Sequence, residues 1–353
     1  MACILALLAA HAQASPRHAV IDPLSPEQRR GFDAAKIETL PSWERHFPIQ
    51  GRDYRYRILG AQPKSAATTA IPTLIVPIRV NVPDKAVVFD ATPIVAHIVS
   101  SPLFSPTLAG LSLQFADAML RAEFPAAPRD WHTLLMPQIG PTLDVTIKGH
   151  GVRVIPSASG KVFGFIRDSH AVNSAITRFL RDHPDPQRLT IFITYNSVED
   201  FAYGYHSWAW ADHTRRAALI YMYASWLEDV DDALRFPSPD AATLSHEIVE
   251  TIHDPLLTSR TLRWGNRFED NRCFTRLIEV ADAIEDAPLG IVYARQTAFK
   301  DGRPFAYTVQ NAALLPWFTR ESPSRAAGGA YSFPDPRALH KPAPLDCVPR
   351  ISP

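Results

Sequence analysis

Apolar residues recur at helical spacing in some parts of the chain and at alternate positions in others, so the pattern predicts both helices and strands. The helical spacing is clearest over residues 239–253, where Leu244, Ile248 and Ile252 stand four residues apart. Two further helices are predicted over residues 111–124 and 172–182.

Short β-branched or alternating runs predict strands between these helices. The predicted strands cover residues 53–58, 71–82, 131–136, 143–147, 189–195 and 217–223. Pro72 and Pro77 lie inside the second run, and proline lacks the N–H that a central strand donates, so we expect that strand at a sheet edge or at a bulge.

Strand and helix patterns mix without an internal repeat or a clear domain boundary. This predicts an α+β fold, with a mixed sheet and packed helices, as one domain over residues 71–353. Residues 15–70 are polar and contain several prolines, and we interpret them as an N-terminal arm.

The helix predicted over residues 239–253 has recognisable ends. Ser238 is a typical N-cap residue, Pro239 suits the first helical position, and Asp240 places an acid in the first turn. Pro255 then stops the helix.

This helix concentrates ionisable side chains. His246 and Glu250 share one face at i and i+4, and Glu247 lies about 100° round from His246. In the familiar His-Glu-x-x-His helix the two histidines bind zinc and the glutamate takes a proton. Here the pattern is His-Glu-x-x-Glu, so we interpret His246 and Glu250 as metal ligands and Glu247 as the catalytic base. A hydrogen-bonded core histidine beside structural acids is the alternative.

A third ligand must come from another segment. Glu279 is the best candidate, and Asp282 is expected to orient His246 through its other ring nitrogen. His206 is the other contender for the metal, and it is also a candidate catalytic residue that, like Tyr205, could stabilise an oxyanion. A surface acid and a histidine that anchors a loop are the alternative interpretations.

His253 stands at the predicted end of the helix. An extra metal ligand is one interpretation, but we favour a solvated histidine whose positive form suits the C-terminal helix dipole.

Composition limits the classes of function. Lys and Arg number 36 and so do Asp and Glu, so there is no electrostatic case for nucleic-acid binding. The 32 prolines are near twice the usual share of about 5%, which indicates rigid, irregular connections rather than a helical bundle.

Residues 1–14 contain a short apolar run and small residues before Ser15, which is typical of a signal peptide and predicts a secreted or periplasmic protein. Cleavage there would remove Cys3, and the remaining Cys273 and Cys347 are then expected to form a disulfide, with two free thiols as the alternative. No later segment is apolar over the roughly 18–20 residues of a membrane helix, so no membrane span is expected.

Several segments together resemble a group of secreted bacterial proteins, most of them uncharacterised. The segments are residues 111–124, 131–135, 204–207, 244–250, 254–255, 273, 277–282 and 313–318. The resemblance covers most of the chain between residues 70 and 347, and its most specific part is the His-Glu-x-x-Glu helix with the downstream Glu-Val-x-Asp segment. It implies a metallopeptidase-like site of the zincin type.

The leading hypothesis is therefore a secreted, Zn²⁺-dependent hydrolase that acts on peptide or protein substrates. The alternative is a non-catalytic exported surface or binding protein that keeps a zincin-like scaffold.

Overall fold

The fold is described from a computed structural model, which covers residues 32–106, 108, 112–200, 202–229, 238–265, 273–285, 291–300 and 303–347. The predicted signal peptide over residues 1–14 lies outside these ranges.

The helices and strands of the described residues are numbered in chain order. The α-helices are α1 (Val95–Val99), α2 (Phe115–Glu123), α3 (Ser169–Asp182), α4 (Ala242–His253) and α5 (Leu315–Phe318). The strands are β1 (Ser42–Ile49), β2 (Arg52–Leu59), β3 (Thr68–Val82), β4 (Val87–Asp90), β5 (His132–Ile139), β6 (Leu143–Thr146), β7 (Val152–Pro156), β8 (Val162–Ile166), β9 (Leu189–Tyr195), β10 (Ser197–Glu199), β11 (Gly204–Trp210), β12 (Ala218–Trp226), β13 (Arg260–Gly265), β14 (Cys273–Leu277), β15 (Ile291–Lys300), β16 (Arg303–Gln310), β17 (Ala312–Ala313) and β18 (Ser332–Phe333). Short 3-10 helices span Ala34–Lys36, Pro83–Lys85, Thr92–Ile94, Gly149–Gly151 and Ala327–Gly329.

The largest sheet has the strand order β11-β12-β9-β3-β4, and both β5 and β6 also pair with β3. Its interior pairs are parallel, whereas β11 and β4 run antiparallel to their neighbours. The smaller sheets have the orders β1-β2-β13-β14, β10-β8-β7, β15-β16 and β17-β18. Mixed sheets with a few helices confirm the predicted α+β class.

Helices pack on both faces of the largest sheet, and the alternation along β12 shows which face each helix covers. Ile220 and Met222 belong to the same apolar core as Leu244 of α4. Tyr221 belongs to the opposite core with Val172 of α3. Since successive side chains of a strand point to opposite faces, the sheet separates α4 from α3.

Most predicted elements are present. The predicted strands correspond to β2, β3, β5, β6, β9 and β12. The helices predicted over residues 111–124 and 172–182 correspond to α2 and α3, and α2 begins only at Phe115. Leu111, where the first of these helices was expected to start, lies outside the described residues.

The expectation that the strand with Pro72 and Pro77 lies at a sheet edge or at a bulge is wrong. This strand, β3, is central and pairs with β9, β5, β6 and β4. The prolines are tolerated because each lies beside a gap in the pairing on one side. Pairing with β9 begins only at Thr73 of β3. On the other side, the pairing with β5 ends at Ile75 and the pairing with β6 begins at Ile78, so Pro77 lies in the gap between them.

The motif helix starts later than predicted. Its N-cap residue is Ala241 rather than Ser238. Asp240 cannot begin a helix because it has a positive φ of 39° and forms an isolated bridge with Leu227. Its carboxylate accepts a hydrogen bond from the backbone N–H of Thr308, at 2.7 Å, and so ties the helix start to β16.

The segment predicted as an arm, residues 15–70, is described from residue 32 onward and packs against the rest of the chain. Its hairpin β1–β2 joins β13 and β14 in one sheet, and Trp43 and Tyr56 belong to the same core as α4.

Cys273 and Cys347 form the predicted disulfide. In the parts of the chain that the structure covers, no helix has both the length and the apolar character needed to cross a membrane.

Candidate metal centre

The residues predicted from the sequence come from separate elements that meet beside the middle of α4. Strand β11 contributes His206, and the turn that follows β14 contributes Glu279 and Asp282. His206 lies opposite Met222 on β12, and cross-strand partners point to the same face of a sheet, so His206 faces α4. Tyr205 points to the other face, where its hydroxyl donates to Asn173 at 2.5 Å. The interpretation of Tyr205 as an oxyanion ligand is therefore wrong.

The first group of ligand-type atoms consists of His246, Glu250 and Asp282. The Nε2 atom of His246 lies 3.1 Å from Oε2 of Glu250 and 3.4 Å from Oδ1 of Asp282. A cation held at about 2.0–2.2 Å in a tetrahedral site separates its ligand atoms by about 3.3–3.6 Å. The spacing and the donor set of one nitrogen and two oxygens therefore fit a divalent cation such as Zn²⁺.

Gln310, the last residue of β16, orients His246. Its amide Nε2 donates to the carbonyl oxygen of Ala281 at 3.0 Å, which leaves its Oε1 to accept from Nδ1 of His246 at 2.9 Å. The Nε2 atom of His246 is thereby directed at the two carboxylates, as in sites where an outer partner selects the ligating nitrogen. The expectation that Asp282 contacts the opposite ring nitrogen is wrong, because Gln310 occupies that position.

Glu250 uses its two oxygens differently. Its Oε1 accepts hydrogen bonds from the backbone N–H groups of Ala281 and Asp282, at 3.1 and 3.2 Å. Its Oε2 faces Nε2 of His246 and also Nδ1 of His206, at 3.6 Å. Burial alone would raise the pKa of Glu250, but the positive charges of His246 and His206 outweigh it and hold this pKa far below its usual range.

The second group consists of His206, Glu250 and Glu279. Nε2 of His206 lies 3.8 Å from Oε2 of Glu279, and its Nδ1 lies 3.6 Å from Oε2 of Glu247. Glu279 is 1% exposed, and neither of its carboxylate oxygens receives a hydrogen bond from any described residue. Such a carboxylate is costly to bury unless a cation or a proton neutralises it.

The pKa shifts of the buried groups indicate an excess of negative charge in the centre. Burial, followed by the charge of Glu250, raises the pKa of Glu279 well above its usual range and that of Asp282 to about 7. Burial disfavours the positive forms of His206 and His246. The charge of Glu279 nevertheless raises the pKa of His206 well above 6.5, and the charge of Glu250 does the same for His246. Two imidazoles do not neutralise these carboxylates, so the centre favours an additional cation.

Glu247 points from α4 toward the start of β11. A Cβ atom placed on Gly204 would lie 2.6 Å from Oε1 and 2.8 Å from Cγ of Glu247. Glycine at this position therefore leaves room for the Glu247 side chain next to His206.

The end of α4 differs from the prediction at His253. This residue is 1% exposed, and its Nε2 lies 2.9 Å from Oε2 of Glu123. The interpretation of His253 as a solvated helix end is wrong, because α2 covers the helix and supplies a buried carboxylate. Asp254 follows it, and its Oδ1 accepts from the backbone N–H groups of Thr258 and Ser259, at 2.6 and 2.8 Å.

The three metal ligands predicted from sequence do not form one group. Glu250 belongs to both groups, but His246 lies with Asp282 and Glu279 lies with His206. The predicted base, Glu247, is beside His206. The pattern of the chain did not reveal Gln310, because it is remote in sequence and nothing in its surroundings marks it.

Comparisons of the chain with protein-family models, curated proteins and solved structures give no match. The functional interpretation therefore depends on the geometry of this centre.

Proposed function

We propose that the protein is a metal-dependent hydrolase of the zincin type that acts on peptide bonds. The observation that carries the proposal is the convergence of His246 Nε2, Glu250 Oε2 and Asp282 Oδ1 at separations that match the ligands of one divalent cation. These residues would hold the cation, and Zn²⁺ suits their nitrogen and oxygen donors.

The residues around the cation have separable roles. When bound, a cation at this position supplies Lewis acidity toward a substrate carbonyl. Glu247 would accept a proton from the water that attacks the carbonyl carbon and would pass it to the amine released when the C–N bond breaks. His206 lies 3.6 Å from Oε2 of Glu247, and its imidazolium form would contribute positive charge beside that carboxylate when no second cation is bound.

The proposal also includes export of the protein from the cytoplasm. A disulfide such as Cys273–Cys347 persists in oxidising compartments, which supports a site of action outside the cytoplasm.

The burial of the centre favours a second candidate, a non-catalytic exported binding protein with a zincin-like scaffold. His246, Glu247 and Glu250 are at most 1% exposed, and Asp282 is 6% exposed. Structural metal sites are closed in this way, whereas catalytic sites keep a coordination position open.

The two candidates differ in a direct experiment. The purified protein is stripped with a chelator, reloaded with Zn²⁺ and assayed for metal content and for cleavage of a mixed peptide library. For the hydrolase, Glu247→Gln abolishes cleavage while metal content stays at the wild-type level. Glu199→Gln is the matched control, since Glu199 is a fully buried glutamate on β10, outside both groups, and its replacement leaves cleavage intact.

Bound metal without cleavage by the wild type supports the second candidate. Absence of bound metal after reloading contradicts the hydrolase and also a structural metal site, and it leaves only a non-catalytic protein whose buried acids have a structural role.

A further inference from the structure

The two groups of ligand-type atoms share Glu250 and no other residue. We propose that the centre is dinuclear, with a second divalent cation held by His206, Glu250 and Glu279 next to the first. The inference rests on the proposed function for the first cation and adds a second metal site with a distinct ligand set.

The geometry around Glu250 supports a shared ligand. Because its Oε1 is occupied by two backbone N–H groups, its Oε2 is the atom available to cations. Imidazole nitrogens approach this oxygen from His246 at 3.1 Å and from His206 at 3.6 Å. Two-metal hydrolytic sites place their ions about 3.5–4 Å apart, a distance that one carboxylate can bridge.

The spacing around His206 is too long for hydrogen bonds. Its nitrogens lie 3.6 Å from Glu250 and 3.8 Å from Glu279, whereas an N–H···O bond spans about 2.7–3.2 Å. Nε2 of His206 also lacks a hydrogen-bond partner among the described residues. The first distance starts from Nδ1 and the second from Nε2, and a cation would use only one of these nitrogens. One nitrogen of His206 and one oxygen from each of Glu250 and Glu279 all lie within 4.8 Å of one another, which leaves room for a cation between them.

Glu279 is an independent indication of a ligand. It is almost fully buried, faces His206, and has no hydrogen-bond donor to either oxygen within the described part of the chain. Asp254 adds a second such atom, since its Oδ2 is buried and without a hydrogen-bond partner in the same part of the chain. A buried carboxylate that lacks donors is stabilised when it binds a metal ion.

The charge of the centre favours two cations over one. Five buried acids surround it, Glu247, Glu250, Asp254, Glu279 and Asp282, with His206 and His246 as the bases, and the partly buried Glu285 adds negative charge beside Asp282. If all are ionised, five carboxylates against two imidazolium ions leave three negative charges. One divalent cation bound to neutral His246 leaves two negative charges, and a second cation bound to neutral His206 leaves one negative charge. Arg260, whose guanidinium interacts with Asp254 and Glu279 at longer range, offsets part of the remainder.

The test counts cations and measures whether they are coupled. Metal-free protein is titrated with Mn²⁺, the bound metal is quantified after desalting, and electron paramagnetic resonance spectra are recorded at each step. We expect two equivalents in the wild type and, at the second, the closely spaced multiline spectrum of an exchange-coupled Mn²⁺ pair.

Glu279→Gln keeps the size of the side chain but removes its charge. This variant is expected to bind one equivalent, with the spectrum of an isolated ion, while Glu199→Gln binds two as the matched control. Circular dichroism confirms that each variant is folded, and the wild-type titration decides the question if Glu279→Gln does not fold.

The outcomes separate this inference from the proposed function. One equivalent in the wild type, with an uncoupled spectrum and no change in Glu279→Gln, overturns the second site but leaves the first. If neither Mn²⁺ nor Zn²⁺ binds, the proposed function and the dinuclear centre both fail.

Discussion

The contact between Gly204 and Glu247 allows a test of the site that requires neither metal nor substrate. In Gly204→Ala, the added Cβ would lie 2.6 Å from Oε1 and 2.8 Å from Cγ of Glu247, and 2.9 Å from Cγ2 of Thr243. The backbone at Gly204 is outside the left-handed region, so alanine is strained only by these contacts. Overpacking of this kind costs about 1–3 kcal/mol, and we expect Gly204→Ala to lower the free energy of unfolding by that amount.

A double-mutant cycle separates this contact from a general defect. Glu247→Ala removes Cγ and Oε1, which are two of the three crowded atoms, so Gly204→Ala should cost at least about 1 kcal/mol less in that background than in the wild type. The free energies come from urea unfolding of all four proteins, followed by tryptophan fluorescence with the metal removed. If the two substitutions are additive, Glu247 does not occupy the space next to Gly204, and the position assigned to the proposed base is wrong.

Three further predictions concern neighbouring features. Gln310→Leu removes the acceptor for Nδ1 of His246 and should weaken metal affinity about 10–100-fold, measured by competition with a chromophoric chelator; unchanged affinity contradicts the orienting role. Burial raises the pKa of Glu199 from 4.5 to about 7 in the folded protein. As the pH rises between these values, Glu199 ionises in the unfolded chain but stays protonated in the folded one, so the wild type should lose about 3 kcal/mol of stability. Glu199→Gln should not show this loss. Urea unfolding at pH 5 and pH 8 should therefore give a difference in the free energy of unfolding between the two proteins that is larger at pH 8, and an equal difference at both pH values refutes the prediction. Replacing Cys273 and Cys347 by serine opens a cross-link between positions 74 residues apart and should lower the free energy of unfolding by about 2–4 kcal/mol, and a stability equal to that of the wild type would show that the bridge does not constrain the chain.

The predicted elements that the structure contains are those with a strong local pattern. Leu244, Ile248 and Ile252 recur once per turn and face one apolar core, so the motif helix was predictable from spacing alone. The strand over residues 189–195 was equally predictable, because it is an apolar, β-branched run with identical observed bounds.

The errors arise where a distant segment decides the structure. Asp240 was expected to begin the helix, but its carboxylate binds the backbone of Thr308 and its φ is positive. The prolines of β3 were expected at an edge, but the neighbouring strands end or begin beside them. His253 is buried because Glu123, 130 positions away, reaches it. Local spacing contains no information about such contacts.

The candidate site was predictable in its residue types but not in its grouping. Spacing on one helix brought His246 and Glu250 together, and the downstream Glu-Val-x-Asp segment was correctly associated with them. The positions of Glu279 and Asp282 depend on how the turn folds over α4, which is fixed by backbone hydrogen bonds to Glu250. The orienting Gln310 comes from the end of another strand and has no counterpart in the motif.

The two-sided use of Glu250 has a consequence for protein engineering. Replacing it by histidine would convert the helix to the familiar His-Glu-x-x-His form, which supplies two histidine ligands to zinc. An imidazole nitrogen that binds metal leaves the other nitrogen protonated at neutral pH, and that nitrogen cannot accept the N–H groups of Ala281 and Asp282. The substitution would therefore release the turn that positions Glu279 and Asp282. In this fold the Glu250 carboxylate fixes the turn and also faces the proposed cation, so the two versions of the motif are not interchangeable.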